Sequence, residues 1–564
     1  MRIDKSLLRD YENKELVLYT DNDERLNWVA YDDLPNLALP GVLKACRHID
    51  GKLMQLYTEQ PQHVSVIAAT RLGKTTSVVI PTILSYARQK VKKSLVITDP
   101  KGEIYRATAA TLRKEGYQIK LLNFRNYKKS ECWNPLTGIY RKFKSINRIY
   151  DEVEVVDDHG VLKNKFRGRI YDDQAYLDRD IDTEKAMLMD DVECDIDRFA
   201  NMIIVTESKN DVTWEDGARD LLRAFLYAML EDSEDEENPI TEDTYSLSTI
   251  FNVESHFKNT TSQYDDGGYF SKRGSNSKAY RLAKNIILDT ANGTRSSYMS
   301  VFITKLTEYR EVTTRVITSC NTFDLNELVE SDKPVAIFID FKDELKSQFT
   351  TISLFVQDAY RALIESANKR EDGKLEVPWV FVLDEFGNFT KLKDFESTIS
   401  ACAGRNIWFM LIMQSYAQLN NIYGKECGDI IRDNMNVHIF MGSNNPSTLD
   451  EFSRECGEMT RVSPLSALNG SGSDIENYQL ETIPLMPKSR LSHLGIGECI
   501  LTEANSGYVL WSMFERYYLC DEFSSLEKES DNDYVCSINP FDEKYIYEWK
   551  GDDDDDDKDN KWDF

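Results

Sequence analysis

The chain has 564 residues, of which 41% are hydrophobic and 11% aromatic; that is enough for large cores in more than one domain, and it excludes wholesale disorder. The net charge of −28 looks wrong for a nucleic-acid binder, but it is uneven: Asp521 to Phe564 alone holds 17 acidic against 5 basic residues, so acidic outer faces can coexist with a narrow basic channel. Ten cysteines without a C-x-x-C pair fit a reducing compartment and argue against zinc or a disulfide framework, while no apolar run is long enough for a membrane span and the N-terminus carries no apolar signal region.

In chain order, apolar and β-branched runs predict strands. They are "HVSVIAAT" from His63, "SLVITD" from Ser94, "YQIKLLNF" from Tyr117, "PVAIFID" from Pro334, "WVFVLD" from Trp379, "IWFMLIMQ" from Ile407, "VHIFMG" from Val437 and "ECILTE" from Glu498. The runs are near-continuous rather than alternating, as in strands buried on both faces of a parallel sheet. Helical patterns at 75–92, 102–115 and 351–368 lie between several of them. Strand–helix alternation predicts an α/β fold with a mainly parallel sheet.

The alternation breaks between about residues 140 and 325. Residues 140–211 are polar and low in strand signal. From Trp214, apolar residues Leu221, Leu222, Phe225, Leu226 and Met229 recur at helical spacing. Residues 215–320 read as an all-α domain inserted between two parts of the core, 61–214 and 321–520, or as a run of peripheral helices. Residues 1–60 form an N-terminal region without membrane helices, and 521–564 an acidic tail. Its end, "YEWKGDDDDDDKDNKWDF", reads either as a solvated arm or as a docking element for a basic partner.

One loop carries chemistry. "AATRLGKT", Ala68 to Thr75, follows a strand and opens a helix, as a phosphate loop of the form G-x-x-x-x-G-K-[ST] must. Gly73, Lys74 and Thr75 supply the essential end: a tight turn, an ammonium for the β/γ-phosphates and a hydroxyl for Mg2+. Ala68 replaces the first glycine and is tolerable where its φ is negative; Leu72 threatens to crowd the loop. Ala68, Thr70, Arg71, Gly73, Lys74, Thr75 and Thr76 are the expected nucleotide-binding residues. A second motif, "WVFVLDEF", ends an apolar run in Asp384 and Glu385. An Asp there can hold a magnesium shell and the adjacent Glu can polarise a water. The next strand ends in Gln414, suited to sensing a γ-phosphate. Arg405, just before that strand, fits either an arginine acting across a subunit interface or a surface ion pair.

Together with "TDPKGE" (Thr98 to Glu103), "WNPL" (Trp133 to Leu136), "WEDGARDLL" (Trp214 to Leu222), "LDEFGNF" (Leu383 to Phe389), "QSYAQL" (Gln414 to Leu419) and "GECIL" (Gly497 to Leu501), these pieces resemble the TraG-like coupling ATPases of type IV secretion and conjugation. The resemblance spans about 65 to 515. It implies a RecA-like P-loop NTPase core with an inserted all-α domain, ATP and Mg2+ at the interfaces of a homo-hexameric ring, and ATP-driven delivery of a relaxase and its single-stranded DNA to secretion channel subunits. It implies that Lys74 and Thr75 bind phosphate and magnesium, Asp384 supports the metal, Glu385 activates water and Gln414 senses the γ-phosphate, with Arg405 a weaker carry-over. It places Asp99 and Lys101 near the nucleotide edge of the sheet. The family's usual N-terminal membrane helices are not found, so a cytoplasmic protein is expected, either soluble or held peripherally at the inner membrane face by a separate anchor subunit. For DNA, local basic stretches stand out around Arg88–Lys93, Arg125–Lys129, Arg141–Arg148 and Lys272–Lys284, each a candidate phosphate track or a solvated face. A nucleotide-binding receptor with little hydrolysis, or another RecA-like DNA pump, is the alternative.

Overall fold

The computed structural model describes residues 28–36, 43–58, 61–158, 161–205, 212–259, 264–464, 478–504, 509–530, 534 and 542–549. The chain divides into two compact units, residues 1–123 with 325–534 and residues 124–324 with 535–564.

Among the described residues, the first unit is built on a sheet of nine strands. They are β1 (Val64–Ala68), β2 (Ser94–Asp99), β3 (Gln118–Asn123), β4 (Val335–Asp340), β5 (Trp379–Leu383), β6 (Ile407–Met413), β7 (Val437–Gly442), β8 (Glu498–Glu503) and β9 (Val509–Met513). Their order across the sheet is β9-β8-β7-β1-β6-β5-β2-β4-β3. From β7 to β3 every pairing is parallel, and β8 and β9 extend the β7 edge antiparallel. The cause lies in composition. β1, β2, β4, β5 and β7 are buried at every position, so both faces of each strand are covered. The covering helices include Ile80–Arg88, Glu103–Lys114 and Lys346–Asn368. In the first of these Pro81 sits in the opening turn, where a missing N–H costs no helical hydrogen bond. The fold is α/β with a mainly parallel sheet and a RecA-like P-loop core. β9 escapes a search for continuous apolar runs because its exposure alternates along an edge strand.

A smaller antiparallel sheet of Trp28–Ala30, Lys52–Tyr57 and Leu43–Ile49 precedes β1. The segment beyond residue 520 is not wholly a solvated arm: Phe523 and Tyr534 pack into the core of the first unit.

The second unit takes in residues 124–214 as well as 215–320. It is mainly helical, with helices at Gln174–Ile203, Val212–Asp232 and Asn292–Lys305. An antiparallel sheet of Glu154–Asp158, Val161–Phe166 and Arg169–Tyr171 lies within the stretch that reads as low in strand signal. These strands are rich in charged residues, and Val155 and Leu162 are exposed, so no apolar run marks them. Leu221, Leu222, Phe225, Leu226 and Met229 are all buried, and Phe225 stacks between Phe257 and Phe302. The C-terminal segment returns to this unit. Tyr545 joins Cys132, Val316 and Cys320, and the Trp549 ring stands edge-on to Tyr269 with centroids 5.2 Å apart. The acidic run within 551–564 lies outside the described residues. Among the described residues no helix is long and apolar enough to cross a membrane.

Candidate nucleotide site

β1, β6 and β5 are neighbours in the sheet. The loops leaving their carboxyl ends therefore meet, and these loops carry the phosphate-loop motif, Gln414 and Asp384-Glu385. The carboxyl edge of a parallel α/β sheet is where such folds place ligands.

The phosphate loop leaves β1 after Ala68 and enters a π turn at Lys74–Val79. Its left-handed residues are Arg71 (φ 71°) and Gly73 (φ 90°); Ala68 is not among them. An alanine at the first motif position thus carries no backbone penalty. The strain falls instead on Arg71, where a left-handed non-glycine residue costs about 1–3 kcal/mol. Successive N–H groups in such a turn form a concavity suited to anions. Leu72 is accommodated by a glycine on the next strand. Its Cδ1 lies 2.8 Å from where a Cβ on Gly442 would stand. Gly442 has φ 127°, sits at a register shift in β7, and its carbonyl accepts the Ala69 N–H at 2.8 Å.

Across the loop, the Lys74 ammonium lies 3.0 Å from Asp384 Oδ1 and also pairs with Glu385 Oε1. Burial pulls its pKa down, and the two carboxylates more than reverse that, so it is raised and the charge is fixed. Thr75 Oγ1 donates to Asp384 Oδ2 at 3.2 Å. Asp384 is buried, and its carbonyl accepts the Thr98 hydroxyl at 3.0 Å. Glu385 stands at φ 57°, a left-handed position that turns its carboxylate away from the line of β5. Its Oε2 accepts from Gln414 Nε2 and from Asn388 Nδ2, each at 3.4 Å. Lys74, Thr75, Asp384, Glu385 and Gln414 are thus one connected cluster.

Other expected residues fall elsewhere. Asp99 ends β2 in register with Asp340 of β4, and both are fully buried. Burial, then the Asp340 carboxylate, pushes the Asp99 pKa up to about 8. Asp99 Oδ2 accepts the Tyr105 N–H at 2.8 Å. Asp340 was not foreseen, because "PVAIFID" signals only a strand. Lys101 is exposed beside this pair. Arg405 lies in a turn before β6, a strand length of about 23 Å from Gln414. It donates to Ala401 O at 2.8 Å and Asn368 Oδ1 at 3.3 Å, so it does not join its own chain's cluster. Arg516, which no motif flags, does approach the loop: its Nε is 3.9 Å from the position of a Cβ on Gly73.

Many residues of the basic stretches are engaged within their own unit. Lys92 pairs with Glu115 and Lys93 is buried. Arg141 pairs with Glu242 and Asp324, Lys142 with Asp195 and Lys144 with Glu234. Arg273 binds Glu231 and Asp232, and Lys278 binds Glu193. The acidic block at 231–238 thus serves in part as counter-charge to a basic stretch.

The family described as type IV secretory system conjugative DNA transfer matches residues 39–509. The chain is 24% identical over 425 residues to the conjugal transfer protein TraG of Escherichia coli, covering 73% of this chain and 58% of that protein. It is 23% identical over 406 residues to protein VirD4 of Rhizobium rhizogenes, covering 71% and 50%; the match thus spans little more than half the length of these relatives. Its fold is similar to that of the bacterial conjugative coupling protein TrwBdeltaN70 in complex with sulphate (TM-score 0.55, 12% identity, 87% of this chain and 95% of that one). It is similar also to the plasmid coupling protein TrwB in complex with ADP and Mg2+ (TM-score 0.52, 13% identity, 88% and 95%). With a family match that spans most of its length and a fold shared with these coupling proteins, the chain belongs to the type IV secretory system conjugative DNA transfer family.

Proposed function

We propose that the chain is an ATP- and Mg2+-dependent coupling motor that recruits a relaxase with its single-stranded DNA and delivers both to a type IV secretion channel, acting as a homo-hexamer. The observation that carries the catalytic part is the cluster of Lys74, Thr75, Asp384, Glu385 and Gln414 at the carboxyl edge of three adjacent strands. A fixed ammonium, a hydroxyl paired with a buried carboxylate and a turn with two left-handed residues suit a nucleoside triphosphate with its metal ion. Bound Mg2+ supplies neutralisation of phosphate charge.

In this reading the backbone from Ala68 to Thr76, including Thr70 and Arg71, cradles the phosphates, and Lys74 binds the β/γ-phosphates. Thr75 and Asp384 hold the metal and its water shell. Glu385 takes the proton of the attacking water, for which it first releases Lys74. Gln414, already hydrogen-bonded to Glu385, reports the γ-phosphate to the helix Tyr416–Tyr423 that follows it.

ATP turnover of the full chain, with and without single-stranded DNA, tests this beside Lys74→Ala. Turnover that DNA stimulates and Lys74→Ala abolishes, together with lost nucleotide binding, is expected. Nucleotide affinity unchanged in Lys74→Ala would remove Lys74 from the site. Binding without turnover under every condition would make the chain a nucleotide-gated receptor.

A further inference from the structure

The C-terminal part of the first unit folds back onto its N-terminal sheet. Phe514 bridges to Cys46, and the Glu515 N–H donates to Cys46 O at 2.9 Å. A turn at Tyr517–Leu519 then leads into a short helix at Asp521–Ser524. This brings Glu515 and Cys520 against the strand Leu43–Ile49, where Cys46 and His48, two residues apart, share one face.

One donor atom each from His48, Glu515 and Cys520 lies within 4.8 Å of the others. His48 Nδ1 is 2.9 Å from Glu515 Oε2, and Cys520 Sγ is 3.7 Å from the same oxygen. Cys46 is fully buried on the same strand as His48, while Cys520 Sγ also lies 3.6 Å from Arg516 O. Behind the imidazole, Glu522 Oε2 lies 3.3 Å from His48 Nε2.

Tetrahedral zinc, with bonds of about 2.0–2.3 Å, spaces its ligands about 3.3–3.8 Å apart. The 2.9 and 3.7 Å separations are near that spacing, so ligation needs shifts of well under a side-chain length. A carboxylate on the far ring nitrogen is the arrangement that orients a metal-bound histidine. An imidazolium held between two carboxylates accounts for His48, Glu515 and Glu522. It does not account for the Cys520 thiol, a ligand that favours a thiophilic ion, standing 3.7 Å from the same carboxylate.

We propose that His48, Glu515 and Cys520, with a fourth position open to water, form a Zn2+ site that clamps the C-terminal segment onto the N-terminal sheet. Cysteine spacing does not reveal it, because the ligands are a single histidine on one strand and an E-x-x-x-x-C pair 467 residues further on. Binding releases the thiol proton of Cys520 to solvent. The clamp secures the segment that bears Arg516 beside Gly73. It concerns metal content alone and stands whether or not the nucleotide reading holds.

The test uses the full chain, kept reduced, stripped with a chelator and titrated with Zn2+ or Co2+ without nucleotide. About one equivalent per chain is expected, with thiolate–cobalt charge-transfer and tetrahedral ligand-field bands for Co2+. His48→Asn and Cys520→Ser should each weaken binding by on the order of a hundredfold or more, and Glu522→Gln by about 10–100-fold with the bands retained. Cys456→Ser, buried elsewhere in the unit, should bind as the parent does. Because a serine at buried Cys520 can disturb the fold, His48→Asn, at a partly exposed position, carries the test by itself. Absence of thiolate–cobalt bands, or an affinity that His48→Asn leaves unchanged, overturns the site and returns His48 to an ion pair.

Discussion

Glu385 holds two partners that compete for its function. One carboxylate oxygen pairs with Lys74 and the other accepts from Gln414 and Asn388. Glu385→Gln keeps the shape and the amide contacts but removes the base. It should bind ATP as the parent does and lose at least about 100-fold in turnover. Wild-type turnover in that variant, measured by phosphate release, would mean that another group activates the water. Asp99 offers a pH test. Its folded pKa, about 8, lies above its unfolded value, because burial and then Asp340 disfavour the charged form. Its contribution to stability is therefore fully present below the unfolded pKa and is lost as pH rises through about 8. Asp99→Asn, neutral at every pH, should gain stability over the parent with rising pH, by about 4 kcal/mol more at pH 9 than at pH 5. Urea unfolding at the two pH values measures this, and an equal difference at both would mean that Asp99 is already ionised in the folded chain at pH 5.

At the scale of elements, the phosphate loop is held in place by a strand that never touches a nucleotide in the proposed mechanism. β7 bulges at Gly442, whose carbonyl anchors Ala69 and whose missing side chain makes room for Leu72. Gly442→Ala meets both a φ of 127° and a contact of 2.8 Å, so the loop must shift. Nucleotide affinity should fall about tenfold or more, with thermal stability lowered by 1–3 kcal/mol, as for other overpacked sites. Unchanged affinity by titration would mean that Leu72 moves without the loop. This pairing also shows what the sequence could reveal. Strands buried on both faces were legible because continuous apolar runs mark them, and the phosphate loop because strand, turn and helix stand together. Asp384 and Gln414 were legible because each ends such a run. The Leu72–Gly442 contact, the Asp99–Asp340 register and the approach of Arg516 were not, since each depends on which strands become neighbours in the sheet. β9 and the charged strands between 154 and 171 were hidden for a simpler reason: strands with a solvent-exposed face carry no long apolar run.

At the scale of the whole molecule, the placement of Arg405 bears on how copies assemble. It lies at the amino end of β6, whereas Lys74, Glu385 and Gln414 lie at the carboxyl edge. In the proposed ring, an arginine on one edge and the site on the other would let each copy present Arg405 to its neighbour's site by head-to-tail association. Arg405 donates to a backbone carbonyl and an asparagine side chain and is half-buried at the edge. Arg405→Ala should then lower turnover by about 1,000-fold, as removal of a trans-acting arginine does. Loss alone does not separate an interface role from a structural one, but mixing does. Lys74→Ala has a dead site and an intact Arg405; Arg405→Ala has an intact site and no arginine to lend. In randomly mixed rings of equal parts, roughly a quarter of the sites combine a working Lys74 with a neighbour's working Arg405. Turnover recovered to about that fraction of the parent's, from two preparations that are each inactive, places Arg405 across the subunit boundary. A mixture as inactive as its components removes Arg405 from the neighbour's chemistry and leaves it as a surface contact of its own chain.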